Sequence, residues 1–553
     1  MSGIITADYV IVGAGSAGCV LANRLSADGL SKVVLLEAGG DDRPLHNPKQ
    51  FFSNLMVHTP IGFGKTLNDP KVNWLYETEA DPGTMNRSHK WPKGKVLGGS
   101  SSINGLLYIR GQREDYDGWR QMGCTGWSYD DVRPYFIRAQ HQERGESEYH
   151  GVGGPLNTSD FPEKLPASQA LLDACVQAGI PYSEDINAAQ QEGVTWFQLT
   201  IKGGQRHSAA VGYLHPAMSR SNLVVETESQ ATRILFEGKR AVGVEYIRGG
   251  ERKVVKANVE VILAAGAVAS PQLLEVSGIG DPEVLAEIGV PVVHASRNVG
   301  ANLQDHVMLG AQWRLKPGVA SVNELSHGTK LVGEVLKYAF ARKGLLSYAV
   351  AHITAFTKTR PELASPDVQV HLMAASMDLE ALARTQALVL EKEPGVTCSP
   401  CQLRPESRGT IHAKSADMRD YPAIRPNYLS DPIDQQSVID QLKLCRKIMH
   451  QPALEPFLAS AEDPFGTTDD EMLGYARIAG NTLYHAVGTC RMGEDPASVL
   501  DPQLRVRGVE GLRVCDASIM PRIVSGNTNA PTIMIGERGA DLILADRNAR
   551  IAA

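Results

Sequence analysis

Tyr9-Val10-Ile11-Val12 is a short unbroken apolar run that stops at the cluster Gly13-Ala14-Gly15-Ser16-Ala17-Gly18. Cys19 to Leu25 continues with apolar positions at helical spacing, and Lys32-Val33-Val34-Leu35-Leu36 is a second apolar run closed by Glu37. The pattern predicts strand, glycine turn, helix and parallel strand. Two later runs have the same buried-strand texture. Val259 to Gly266 ends in small residues, and Gly511 to Ser518 carries Asp516 just past its apolar core. From about 321 to 483 the texture changes: strand-like runs are separated by longer polar stretches, and Ile433 to Met449 repeats with a helical period.

The expected fold is therefore α/β (α+β overall). A Rossmann-like nucleotide domain is interrupted by a substrate-binding domain built on an antiparallel sheet. The expected boundaries are 1–158, 201–320 and 484–553 for the three parts of the nucleotide domain, and 159–200 and 321–483 for the inserted material.

Composition narrows the function classes. With 43% hydrophobic and 21% charged residues the 553-residue chain has the balance of a globular protein, and its 53 glycines imply many tight turns. A net charge of -7 and the lack of any long Lys/Arg block leave no footprint for nucleic acid. The N-terminus has no charged region followed by a cleavable apolar stretch, and no run approaches the ~18 residues of a spanning helix. The reading predicts a cytoplasmic protein, with peripheral contact at the inner face of the membrane left open. The eight cysteines are too scattered for a disulfide framework. Cys398 and Cys401, the one close pair, read as two thiols in a Pro-containing loop, and no metal site is expected.

The glycine cluster carries the first chemistry. Gly13 permits the tight turn, Gly15 lets the backbone approach a pyrophosphate, and Gly18 allows close helix packing. The helix N-terminus then offers free N–H groups to the diphosphate. Glu37, at the end of its strand and about 20 residues on, can accept hydrogen bonds from an adenosine ribose. This fingerprint by itself does not separate NAD from FAD. The later strand ends at Ala265-Gly266 and at Asp516 favour a longer dinucleotide contacted from several strand ends.

Four further segments are more specific. They are Gly94-Lys95-Val96-Leu97-Gly98-Gly99-Ser100-Ser101-Ser102-Ile103-Asn104 with Tyr108, Gly111 and Asp117; Gly266 to Leu274 ending Ser277-Gly278-Ile279-Gly280; Tyr484-His485-Ala486-Val487-Gly488-Thr489-Cys490-Arg491-Met492-Gly493; and Gly526-Asn527-Thr528-Asn529-Ala530-Pro531-Thr532. In this order and over nearly the whole chain they resemble the signatures of the glucose-methanol-choline oxidoreductases, in particular the bacterial alcohol and choline dehydrogenase branch. The resemblance implies FAD, oxidation of an alcohol to an aldehyde or ketone, and His485 and Asn529 as the catalytic pair. It also implies flavin contacts at Val96, Gly99, Asn104, Gly105 and Leu106, and an adenine contact at Ala231. The remaining cofactor contacts are expected at Gly13, Gly15, Ser16, Ala17, Gly18, Glu37, Ala38, Ala265, Gly266, Asp516, Ala517 and Thr532.

The chemistry agrees with that assignment. An alcohol gives up hydride readily only as its alkoxide, so a base must remove the hydroxyl proton. Histidine, with a reference pKa of about 6.5, suits that work, and an asparagine amide can donate to the developing alkoxide.

Three departures from the family pattern matter. Ile103 stands where choline oxidases attach the flavin through histidine, so FAD is expected to be noncovalent. Ala486 replaces a proline and is expected to loosen the turn after His485. His352 stands where choline-type relatives carry a glutamate. Without that acid the chain is expected to take a neutral primary alcohol, with His352 itself a wall of the pocket, and to pass electrons to a quinone or another acceptor. An oxygen-using alcohol oxidase, a choline dehydrogenase, a hydroxynitrile-type lyase and a nucleotide-binding protein with a dead site are the alternatives. His306 reads as structural.

Overall fold

The strand Ile5–Val12 has a half-exposed beginning and is buried without interruption from Tyr9 to Val12, the mark of a parallel strand covered on both faces. In the computed structural model, which describes residues 5–378 and 389–552, it pairs in parallel with Val33–Leu36 on one side and with Glu251–Leu263 on the other. Leu223–Glu226 extends the sheet beyond Val33–Leu36, and Leu512–Val514 adds in parallel to Glu251–Leu263. Two antiparallel strands, Arg240–Arg248 and Ser229–Glu237, complete seven. The three runs singled out in the sequence, near 9–12, 259–263 and 512–514, are thus neighbours whose C-terminal ends lie together.

Gly13 takes φ +100°, and a Cβ on Gly18 would lie 1.9 Å from the Gly13 carbonyl oxygen. The helix Ser16–Leu25 therefore rests directly on the turn that precedes it. The C-terminal helix Asn529–Ala552 packs beside that helix. It is pinned by Glu537, whose fully buried carboxylate receives Arg24 at 2.7 Å, Arg138 Nε at 2.8 Å and the Tyr213 hydroxyl at 2.8 Å.

A second seven-stranded sheet is antiparallel in every pairing among the described residues. Its order runs Gly480–Thr482, Val307–Leu309, Gly395–Gln402, Val368–Met373, Ile353–Thr357, Gly193–Trp196, with Ala311–Arg314 also against Gly395–Gln402. Val307–Leu309 and Ala311–Arg314 fall before residue 321, so this sheet begins earlier in the chain than the change of texture suggests. The helix Pro432–Met449 lies across Gly395–Gln402, as the period over 433–449 indicates.

Cys398 and Cys401 are not in a loop. Both are buried in the strand Gly395–Gln402, with Cys398 Sγ 3.2 Å from Cys445 Sγ on the covering helix. Pro400 sits within this strand opposite Val370. All eight cysteines are buried free thiols.

Candidate active site

The C-terminal ends of the parallel strands open into one cavity that continues beneath the antiparallel sheet. Gly13, Gly15, Ser16, Ala17, Glu37, Ala38, Gly99, Asn104, Gly105, Leu106, Ala231, Ala265, Gly266, Asp516, Ala517, Thr532, His485 and Asn529 all line it. Two expected contacts do not. Gly18 serves the helix packing described above, and Val96 points into a small cluster with Val57, Val72 and Ile103.

The lining fits an extended dinucleotide. The helix Ser16–Leu25 has Gly15 at its N-cap, no capping side chain and no acid in its first turn, which leaves its N–H groups for an anion. Gly99, at φ +53°, approaches so closely that a Cβ on it would lie 2.7 Å from Gly15 Cα, which brings the second loop against the glycine turn. Glu37 accepts from Ala14 N and Gly39 N, each at 2.8 Å, and each carboxylate oxygen keeps a lone pair for a further donor. Burial raises its pKa to about 7, against those bonds. Asp516 also has protein partners. Its oxygens accept from Gly266 N at 2.9 Å, Ser270 Oγ at 2.6 Å and Ser518 N at 2.8 Å, so its carboxylate fixes the loop from which Gly266 and Ala517 face the cavity.

His485 follows the strand Gly480–Thr482 after Tyr484, which is held at φ +66°. Asp305 builds this bend. Its Oδ1 accepts the His485 N–H at 2.7 Å, and its Oδ2 accepts the Tyr428 hydroxyl at 2.6 Å and the Thr482 hydroxyl at 2.5 Å. Lys93 donates to the Tyr484 carbonyl at 2.7 Å. Beyond His485 the chain is fixed by reciprocal backbone bonds between Val487 and Gln304, 3.0 and 3.1 Å, so Ala486 in place of proline does not leave the turn unsupported.

A line of hydrogen bonds passes through the imidazole. His306 Nε2 lies 3.1 Å from the Leu403 carbonyl, which can only accept, so this nitrogen carries the proton. Burial holds the His306 pKa down to about 4 and keeps the ring neutral, which leaves its Nδ1 bare. That nitrogen is 3.0 Å from His485 Nδ1, which must then be the donor, and His485 Nε2 is left as an acceptor. The His485 pKa is pushed well below the usual imidazole value, first by burial and then by His306, His371 and Lys93, so this ring too is neutral. Facing its Nε2 at 3.2 Å is Nδ2 of Asn527, whose own Oδ1 accepts from Gln369 Nε2 at 3.4 Å. A substrate hydroxyl that takes the place of this amide at Nε2 can donate to the ring nitrogen and accept from the displaced Nδ2.

The residue hydrogen-bonded to His485 is Asn527, and Asn529 lines the same cavity. Asn529 is the first residue of the C-terminal helix, and its Oδ1 accepts from Ser16 Oγ at 2.8 Å, tying that helix to the glycine turn. The two asparagines of Gly526-Asn527-Thr528-Asn529 lie two positions apart, and the helix starts at the second. His306 was also missed, although its place in Asn302-Leu303-Gln304-Asp305-His306, directly after the acid that builds the bend, was the available signal. His352 does not wall the cavity. It is buried against Phe161 and Tyr348, with Nδ1 2.7 Å from Ser168 Oγ. The histidine that does line the cavity beside His485 is His371, buried and with neither ring nitrogen hydrogen-bonded among the described residues.

A dinucleotide fold whose cavity joins an uncapped helix N-terminus to a neutral histidine–asparagine pair defines an oxidoreductase. Residues 7–308 and 405–536 match the two family models described as GMC oxidoreductase. The chain is 44% identical over 546 residues to an alcohol dehydrogenase [acceptor] of Pseudomonas putida, covering 97% of this chain and 95% of that protein. It is 43% identical over 542 residues to the mitochondrial choline dehydrogenase of Homo sapiens, covering 97% and 89%. Among solved structures it superposes on a pyridoxine 4-oxidase from Mesorbium loti with a TM-score of 0.85 at 29% identity, covering 97% and 98%. The chain belongs to the GMC oxidoreductase family and is an FAD-dependent enzyme that acts on CH–OH groups.

Proposed function

We propose that this enzyme oxidises a neutral primary alcohol to the aldehyde, with His485 as the general base and Asn527 as the donor to the alkoxide. The observation that carries the reading is the hydrogen-bond line that ends in an unprotonated Nε2 on His485, which accepts from the Asn527 amide. The substrate hydroxyl donates to Nε2 and accepts from Asn527 Nδ2. As its proton passes to Nε2, negative charge grows on the oxygen against the amide donor. Bound FAD supplies the acceptor for the hydride. Gly13 to Ala17, Glu37 and Ala38 would hold its nucleotide half, and Gly99 and Asn104 to Leu106 its ring.

The substrate class rests on the lining. Ile103, Leu107, Met308, Val350 and Met373 make it largely apolar. Among the described residues its two carboxylates, Glu37 and Asp516, are both engaged by protein donors, and Lys93 contributes a cation. The described lining thus lacks the free carboxylate that would favour a quaternary ammonium. Position 352 does not enter this argument, because a side chain there faces Ser168. Catalytic efficiency with medium-chain or benzylic alcohols is expected to exceed that with choline, and a steady-state comparison giving the reverse order would remove the neutral-alcohol reading. Electrons are proposed to leave to a quinone or another acceptor. Dye reduction that outpaces peroxide release in air is the corresponding result, and stoichiometric peroxide would instead make the enzyme an oxidase.

Ile103 offers the cavity only hydrocarbon, so FAD is proposed to be noncovalent. Acid precipitation is expected to leave the yellow colour in the supernatant; colour in the washed pellet would refute it.

The neutral His485 also has a signature in pH. Because its pKa lies well below 6.5, the base form persists as pH falls, and protonation removes it only below that value. The rate of anaerobic flavin reduction at saturating alcohol is expected to be still on its plateau at pH 6.5, where an ordinary imidazole is about half protonated. A rate already halved at or above that pH would contradict the electrostatics described here.

A further inference from the structure

The helix Gly328–Ala341 is built inside out. Leu331, Val332, Val335, Leu336 and Phe340 occupy one half of its circumference, and that half faces solvent, with exposures from 36% at Leu331 to 87% at Phe340. Its polar residues turn the other way. Glu334 accepts the Leu345 N–H at 2.6 Å, and Lys337 pairs with Glu163 at 2.7 Å. Of the fourteen residues only Tyr338 is buried, so the helix stands out from the body of the protein. An ordinary surface helix has the opposite arrangement, and an apolar face of this size marks a contact surface.

Three further observations choose the partner. Lys330, paired with Glu324, lies at one end of the helix, and Arg342 and Lys343 are exposed at the other, on a chain whose net charge is -7. A second exposed apolar group, Leu45, Phe51, Phe52 and Leu55 with Lys49 among them, lies on and just before the helix Phe51–His58. The two regions are joined where Pro60–Gly62 packs on Leu345–Ser347. Both also lead straight to the active-site cavity: Phe63 and Leu67 line it just after the first region, and Val350 and Ala351 just after the second.

We propose that this face is a membrane-docking surface, in which the apolar half of Gly328–Ala341 enters the interface of an anionic bilayer and the basic residues at its ends meet the lipid headgroups. No described helix is long and apolar enough to cross a membrane, so the contact is interfacial. Docking in this way sets the mouth of the cavity against the lipid, from which an apolar alcohol or a lipid-soluble acceptor enters without crossing water. The proposal stands whichever alcohol is oxidised.

Vesicle flotation of the full-length holoenzyme tests it. The protein is expected to float with phosphatidylcholine vesicles containing phosphatidylglycerol. Leu336→Glu combined with Phe340→Glu is expected to weaken the partitioning at least about tenfold. Arg342→Glu combined with Lys343→Glu is expected to weaken binding to the anionic vesicles selectively, relative to phosphatidylcholine alone. Dye-coupled activity on a water-soluble alcohol should be unchanged in both variants, which shows that they fold. Three outcomes would overturn the proposal: wild-type protein that stays at the bottom of the gradient, a Leu336/Phe340 variant that floats like wild type, or a concentration-dependent dimer in sedimentation that this variant dissolves while no vesicle binding is seen. The last would assign the face to a second copy of the chain.

Discussion

His485→Ala is expected to leave a folded, yellow protein whose anaerobic flavin reduction by an alcohol is slower by about 10²- to 10⁴-fold, the usual contribution of a general base. Asn527→Ala is expected to cost about 10²-fold, because it removes one donor to the growing alkoxide and leaves the base in place. The double variant should fall well short of the product of the two losses, since both groups act on one oxygen in one transition state. Asn529→Ala separates this site from the neighbouring asparagine. Its side chain meets Ser16, so its effect should appear in FAD retention and helix packing, with the reduction step much less affected. Rapid-mixing measurements on the four proteins decide between the two residues. If Asn529→Ala slowed the flavin reduction of fully loaded enzyme more than Asn527→Ala, the pairing with Asn527 would be wrong.

Asp305→Ala is expected to be the most destabilising single change near the site. It strands three buried donors: the Tyr428 hydroxyl, the Thr482 hydroxyl and the His485 N–H. Each unpaired buried group costs about 1–3 kcal/mol. Part of that is offset because Asp305 is itself buried unfavourably, which holds its carboxyl above the usual aspartate value. A net loss of about 3–5 kcal/mol follows, read as a clearly lowered thermal midpoint. The bend that carries Tyr484 and His485 loses its anchor at the same time, so flavin reduction should fall as well. Asp305→Asn keeps an acceptor oxygen and is expected to recover roughly half of the stability. An Asp305→Ala protein with an unchanged midpoint and rate would show that the bend is held by Lys93 and the Val487–Gln304 pairing alone.

Local pattern was enough for the nucleotide half. The run at Tyr9–Val12, the spacing of Gly13, Gly15 and Gly18, and Glu37 at the end of the next strand are all consequences of neighbours in the chain, and the strand, turn and helix form where those residues dictate. The change of texture after about residue 321 pointed to the antiparallel sheet, and the family motifs extended the reading to FAD and to His485. Tertiary structure decided what depends on contacts between distant segments. Asn527 meets His485 because the C-terminal helix starts at Asn529 and directs that residue to Ser16 instead. His306 sets the proton on His485 from 179 positions away, through a carbonyl at Leu403 that no spacing predicts. Val96 and His352 turn from the cavity because Val57 and Val72, and Ser168, lie behind them. Cys398 and Cys401 are in a strand because segments distant in the chain pair with Gly395–Gln402 on both sides. The direction of a side chain and the tautomer of a ring are set by what packs around them, and the sequence specifies those surroundings only through the whole fold.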